Sequence, residues 1–72
     1  MTAKRARPIT NRAITDLGRA AIDAINATNL SLEAAAAISG VGRSTIMAWA
    51  RGVGRPRPYL AQCVIDAMEK QS

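Results

Sequence analysis

The chain has 72 residues and a formal net charge of +5, enough for one small domain and no more. Apolar residues make up 49% of it, yet many are alanine and none is phenylalanine, so the core must be thin. No apolar run approaches the ~20 residues of a membrane span, and glycine and proline are too few for a disordered chain.

Residues 1–8, MTAKRARP, read as a flexible basic arm carrying Lys4, Arg5 and Arg7. Pro8 disfavours helix at Arg7. The remainder, 9–72, reads as a single domain. Helix 1 is expected to start near Thr10 or Asn11, either of which can cap. Ile14, Leu17, Ala21 and Ile25 recur at helical spacing, and Ile22 widens the stripe. Gly18 inside this stretch costs about 1 kcal/mol relative to alanine, which close packing against another helix explains. The helix is expected to end near Ala27, because Asn29 and Ser31 are poor interior residues and good caps.

Ser31 is the expected N-cap of helix 2, and Glu33 in its first turn complements the helix dipole. Ala34 to Ala37 give strong helix propensity with almost no bulk, which lets a neighbouring helix approach closely. Gly40 supplies the left-handed conformation that ends helix 2. Helix 3 is expected over about 43–51, with Gly42 as N-cap and Gly52 closing it. Residues 52–57, GVGRPR, form a loop. Pro58 suits the first turn of a C-terminal helix over about 58–70, whose stripe is Leu60, Val64, Ala67 and Met68, flanked by Cys63 and Ile65. No strand pattern or repeat is visible. The expected class is all-α, with four helices.

Charge follows this organisation. Residues 1–12 carry Lys4, Arg5, Arg7 and Arg12 and no acid; residues 43–57 carry Arg43, Arg51, Arg55 and Arg57 and no acid. Elsewhere acids and bases mix. Two separate basic segments suit a polyanion partner, whereas charge serving solubility alone would be scattered with both signs. Cys63 is the only cysteine, so no intrachain disulfide can form and a reducing cytoplasm fits. The basic N-terminus is not followed by the apolar run of a signal peptide.

The segment Leu32 to Arg51, LEAAAAISGVGRSTIMAWAR, carries the most information. Ala36 stands four residues before Gly40, Val41 directly after it, and Ile46 and Trp49 at +6 and +9. Ile46 and Trp49 share one face of helix 3 and are expected to point back at Val41 and the alanines. The other face carries Arg43, Ser44, Met47, Ala48 and Arg51. Trp49 is expected in the core; the competing role for a lone Trp is stacking on an unpaired base.

This pattern resembles the helix-turn-helix of phage Cro and repressor proteins, especially the lambda-repressor type. The residues that carry the resemblance are Ala36, the turn Gly40-Val41-Gly42, Arg43-Ser44-Thr45-Ile46, Trp49 and the closing Arg51-Gly52. Ser39 departs from the pattern, since a larger apolar residue is common there; Ile38 is expected to take over that packing. A second, weaker resemblance joins Arg55-Pro56-Arg57-Pro58-Tyr59 and the helix after it to the tail of the small anti-CRISPR-associated repressors of phages. The resemblance implies operator binding as a homodimer and repression of a phage or mobile-element promoter in a bacterial host cell. Half-sites would lie roughly 34 Å apart.

In that reading the start of helix 3 faces base edges. Arg43 is the first choice for base readout, because its guanidinium can bridge guanine O6 and N7, with a phosphate contact as the alternative. Ser44 can bond a base or a phosphate. Thr45 reads a base or caps the helix. Met47 and Ala48 pack on thymine methyls or fill the seam between helices. Arg51, Arg55 and Arg57 are expected on the DNA backbone, with Asn29 and Ser31 at the start of helix 2. Lys4, Arg5 and Arg7 track a minor groove or remain a solubilising tail. Leu60, Val64, Ile65 and Met68 exceed what one face can hide and are expected at a dimer interface.

Catalysis is not expected. The chain has no histidine, no paired carboxylates and no phosphate-binding glycine loop. No catalytic residue, metal ligand set or cofactor is predicted. The alternative function is a protein-interaction module, antirepressor-like, that uses the apolar C-terminal helix. RNA binding is disfavoured, because sequence-specific RNA modules present aromatic stacking surfaces and only Trp49 and Tyr59 are aromatic here.

Overall fold

The computed structural model describes residues 9–28 and 30–71. These form four α-helices and no strand: α1 (Asp16–Thr28), α2 (Leu32–Ser39), α3 (Arg43–Arg51) and α4 (Pro58–Glu69). The all-α, four-helix architecture is the one expected from the hydrophobic spacing. The arm at 1–8, with Lys4, Arg5 and Arg7, and Asn29 lie outside the described residues.

The α2–α3 pair is built by its caps. The Ser31 hydroxyl accepts from the Ala34 N–H at 3.1 Å, filling one of the open donors of the first turn. Gly40 sits at φ 74°, and its N–H returns to the Ala36 carbonyl. Ser39 holds the same turn from the side. Its hydroxyl donates to the Ala35 carbonyl at 2.7 Å and accepts from the Val41 N–H at 3.4 Å. The serine that departs from the apolar pattern therefore ties the turn by hydrogen bonds. Ile38 does not replace it in the core, since it is 44% exposed.

Val41, Ile46 and Trp49 are buried together, against Ala35 of α2 and Ile22 and Ile25 of α1. Ala35, at 0% exposure, is the sealed contact, and Ala36 is only half-buried. α4 packs against both α1 and α2, and α3 packs against the same two helices. Ala61, Val64 and Met68 of α4 are fully interior.

α1 starts five or six residues later than Thr10 or Asn11. Thr15 is its cap: the hydroxyl accepts from the Gly18 N–H at 3.0 Å and the carbonyl from the Arg19 N–H at 2.9 Å. Residues 9–15 run instead as an irregular strap. The Asn26 side-chain amide accepts from the Ile9 N–H at 2.8 Å and donates to the Ile9 carbonyl at 2.9 Å. Asn11 donates to the Arg19 carbonyl and to the Asp23 carboxylate. Side-chain bonds of this kind offer the backbone a partner outside the helix, and here they prevail over the apolar spacing. Ile14, expected on the apolar stripe, is consequently 57% exposed, while Ala13 is buried.

Gly18 packs against a loop and not against a helix. A Cβ at this position would stand 2.9 Å from Cγ of the buried Pro56 and 3.0 Å from the Thr15 hydroxyl that caps α1. Alanine gains about 1 kcal/mol in helix propensity but forces a rigid ring to move, and overpacking costs typically about 1–3 kcal/mol. Gly18→Ala is therefore expected to lower stability by about 1 kcal/mol in urea melts, against the propensity scale. A stabilised variant would show that the 52–57 loop yields freely.

Candidate nucleic-acid interface

α3 divides cleanly. Ile46, Trp49 and Ala50 are buried, and the opposite side forms an open groove of about 290 Å³ lined by Arg43, Ser44, Met47, Ala48, Arg51 and Val53. Four of the five residues proposed for base readout meet there, together with Arg51. Thr45 lies outside the lining and is half-buried, and no side-chain capping hydrogen bond forms at the start of α3. Arg43, Ser44 and Arg51 are exposed; Met47 and Ala48 are half-buried along the floor. A rise of 1.5 Å per residue sets the Cα atoms of Arg43 and Arg51 about 12 Å apart.

The C-terminal end of α3 is fixed from two directions. Gly52 lies at φ 75°; its N–H donates to the Trp49 carbonyl at 3.0 Å, and the Val53 N–H donates to the Ala48 carbonyl at 3.1 Å. This paired cap folds the residue after the glycine back beside the last turn of the helix. The strap then seals the end, with the Arg12 N–H donating to the Ala50 carbonyl at 2.7 Å. A carbonyl that the helix leaves without an internal partner is satisfied in this way.

Val53 is the site residue that sequence reasoning missed. It is 73% exposed and completes the groove beside Ala48. The signal was present in Gly52, since a left-handed glycine cap places the following residue against the helix it closes.

Arg43 has a second unforeseen neighbour. Its Nη1 lies 2.9 Å from Oε1 of Glu33 in α2, with side-chain exposures of 61% and 77%. An ion pair this exposed contributes little to stability, and the guanidinium can exchange the carboxylate for another anion readily. Glu33 thus pairs with the arginine as well as facing the α2 dipole.

Other expected positions fall around this groove. Arg55 and Arg57 are exposed in the loop after α3, outside the lining. Ser31 is exposed at the start of α2, where its oxygen is engaged in capping and its O–H remains a donor. Asn29, Lys4, Arg5 and Arg7 lie outside the described residues.

The α4 stripe requires a correction. Val64 and Met68 are 0% and 1% exposed within a single chain, so they are not available to a second copy. Leu60 and Ile65 are partly buried against the same core. The alanine-rich α2 buries only Ala35, and Val64 and Met68 of α4 fill the interior beside Ile22, Ile25, Ile46 and Trp49. The apparent surplus of apolar surface is the core itself. A separate groove of about 310 Å³ opens between the end of α2 and the end of α4, lined by Ile38, Ser39, Cys63, Asp66, Ala67, Lys70 and Gln71.

Among the described residues, no group of three or more His, Cys, Asp or Glu is placed to hold a metal ion, and no helix is long and apolar enough to cross a membrane. No protein-family model, curated protein or solved structure matches this chain.

Proposed function

We propose that the chain is a double-stranded-DNA-binding regulator of the helix-turn-helix kind, a repressor of a phage or mobile-element promoter acting as a homodimer. The observation that carries the reading is the outer face of α3: a concave strip of short and apolar side chains with an arginine at each end, on a helix whose other face is locked into the core. A helix of this kind fits a major groove, and its residues match the donors and methyl groups that base edges ask for. Arg43 and Ser44 read bases, Arg51, Arg55 and Arg57 hold the backbone, and the Ser31 hydroxyl at the start of α2 contacts a phosphate. The homodimer rests on the resemblance to Cro and repressor proteins and on the small size of the domain. Its contact surface lies elsewhere than Val64 and Met68.

The groove between α2 and α4 favours a second reading, a protein-interaction module. Salt separates the two. Each phosphate neutralised contributes about −0.9 to the log–log slope of affinity against salt. With three to four arginines per chain on DNA, the homodimer neutralises about six to eight phosphates, and its affinity for a duplex with both half-sites is expected to fall about 10³- to 10⁴-fold between 50 and 200 mM salt. Measurement by fluorescence anisotropy checks this. No binding to duplex at low salt would reject the DNA reading and favour the protein partner.

A further inference from the structure

We infer that the α3 groove reads the C5-methyl group of a pyrimidine that has a guanine as neighbour. This rests on the DNA-binding reading above and specifies what the groove takes. Three of its six lining residues, Met47, Ala48 and Val53, offer only carbon and a thioether sulfur. Such a floor cannot read the donors and acceptors of base edges. The one apolar group that a base edge presents in the major groove is the methyl on C5 of a pyrimidine. The small side chain of Ala48 leaves a hollow between Met47 and Val53, and Val53 is held at its edge by the two backbone bonds of the Gly52 cap. An apolar residue that is 73% exposed, on a backbone tied to the end of α3, is placed for contact before the partner arrives. Arg43 and Arg51 flank the floor about 12 Å apart, which spans three to four base-pair steps of about 3.4 Å. The Arg43 guanidinium reaches guanine O6 and N7 at one end and Arg51 a phosphate at the other, while the methyl sits between them.

Thymine and 5-methylcytosine carry the same methyl and differ at C4. The Ser44 hydroxyl can donate to O4 of the first or accept from the amino group of the second, so the shared chemistry is the methyl.

The test uses the full chain and duplexes selected from a random-sequence pool. In the tightest binder, each thymine is replaced in turn by deoxyuridine, which removes only the methyl. One thymine per half-site, adjacent to a guanine, is expected to be sensitive, with affinity falling about three- to tenfold. In Val53→Ala, whose fold is verified by melting, the thymine and deoxyuridine duplexes are expected to bind alike. Replacing the sensitive pair by cytosine or 5-methylcytosine identifies the source. Recovery with 5-methylcytosine alone shows that the methyl is read on either base, and recovery with neither shows that thymine O4 is read as well. Selected duplexes indifferent to every deoxyuridine, or a thymine preference intact in Val53→Ala, would overturn the inference while leaving DNA binding in place. A pool that yields no bound duplex would overturn the DNA reading itself.

Discussion

Trp49→Ala is expected to remove a large share of the domain's stability. The chain has no phenylalanine and one tryptophan, so this indole is the largest single filling of a core otherwise built from isoleucine, valine, methionine and alanine. It is 3% exposed and packs with Ile46. Truncating a buried Trp to Ala costs about 3–5 kcal/mol through lost burial and the cavity left behind. A domain of this size has a total stability of about 4–11 kcal/mol at typical values per residue. The alanine neighbours cannot collapse into the void, because they have no side-chain reach. Urea melts followed by circular dichroism should show the midpoint lowered in proportion to that loss, down to no cooperative transition where the wild-type stability is at the low end. A midpoint equal to that of the wild type would contradict burial of the indole.

Gly52→Ala is expected to cost about 3 kcal/mol, against about 1 kcal/mol for Gly40→Ala. Both glycines adopt left-handed backbone, with φ of 75° and 74°, and both lose stability when a Cβ is added there. Their surroundings differ. Nothing lies within 4 Å of a Cβ on Gly40, whereas a Cβ on Gly52 would stand 2.5 Å from the Arg12 carbonyl oxygen. That oxygen belongs to the strap that the Arg12 N–H pins to Ala50, so it cannot move without losing the bond. The collision adds an overpacking cost of about 1–3 kcal/mol to the backbone term. Paired melts of the two variants check this. Equal losses would mean that the strap does not press on the end of α3.

The legible part of this fold was the part governed by local signals. Ser31 caps with its side chain, Gly40 and Gly52 take left-handed backbone and Pro58 opens a first turn, and α2, α3 and α4 fall where those residues put them. Trp49 and Ile46 could be placed in the core by spacing alone, because a nine-residue helix with caps at both ends has only one apolar face to hide. The strap was not legible. Its course depends on Asn26 bracketing Ile9 and on Arg12 meeting Ala50, contacts that link residues far apart in sequence and leave no periodic trace. The same lack of long-range information assigned Val64 and Met68 of α4 to a dimer interface. Counting apolar residues on one helix cannot reveal that its alanine-rich neighbour α2 leaves room in the core for Val64 and Met68. In the groove, Arg43, Ser44, Met47, Ala48 and Arg51 could be grouped by helical phase, but Val53 and Glu33 join through turns. Glu33 pairs with Arg43 only because Gly40 reverses the chain.

The central claim is that the outer face of α3 reads DNA sequence, and a mobility shift with wild type and Arg43→Ala tests it most directly. The probes are the DNA immediately upstream of the protein's own gene and a scrambled duplex of equal length, at low salt. Arg43 and Glu33 form an exposed pair, so the substitution leaves the fold intact. The wild type is expected to prefer the upstream duplex. Arg43→Ala is expected to reduce that preference by about tenfold or more, the value of one bidentate guanine contact. Equal binding of both duplexes by both proteins would contradict sequence reading by α3.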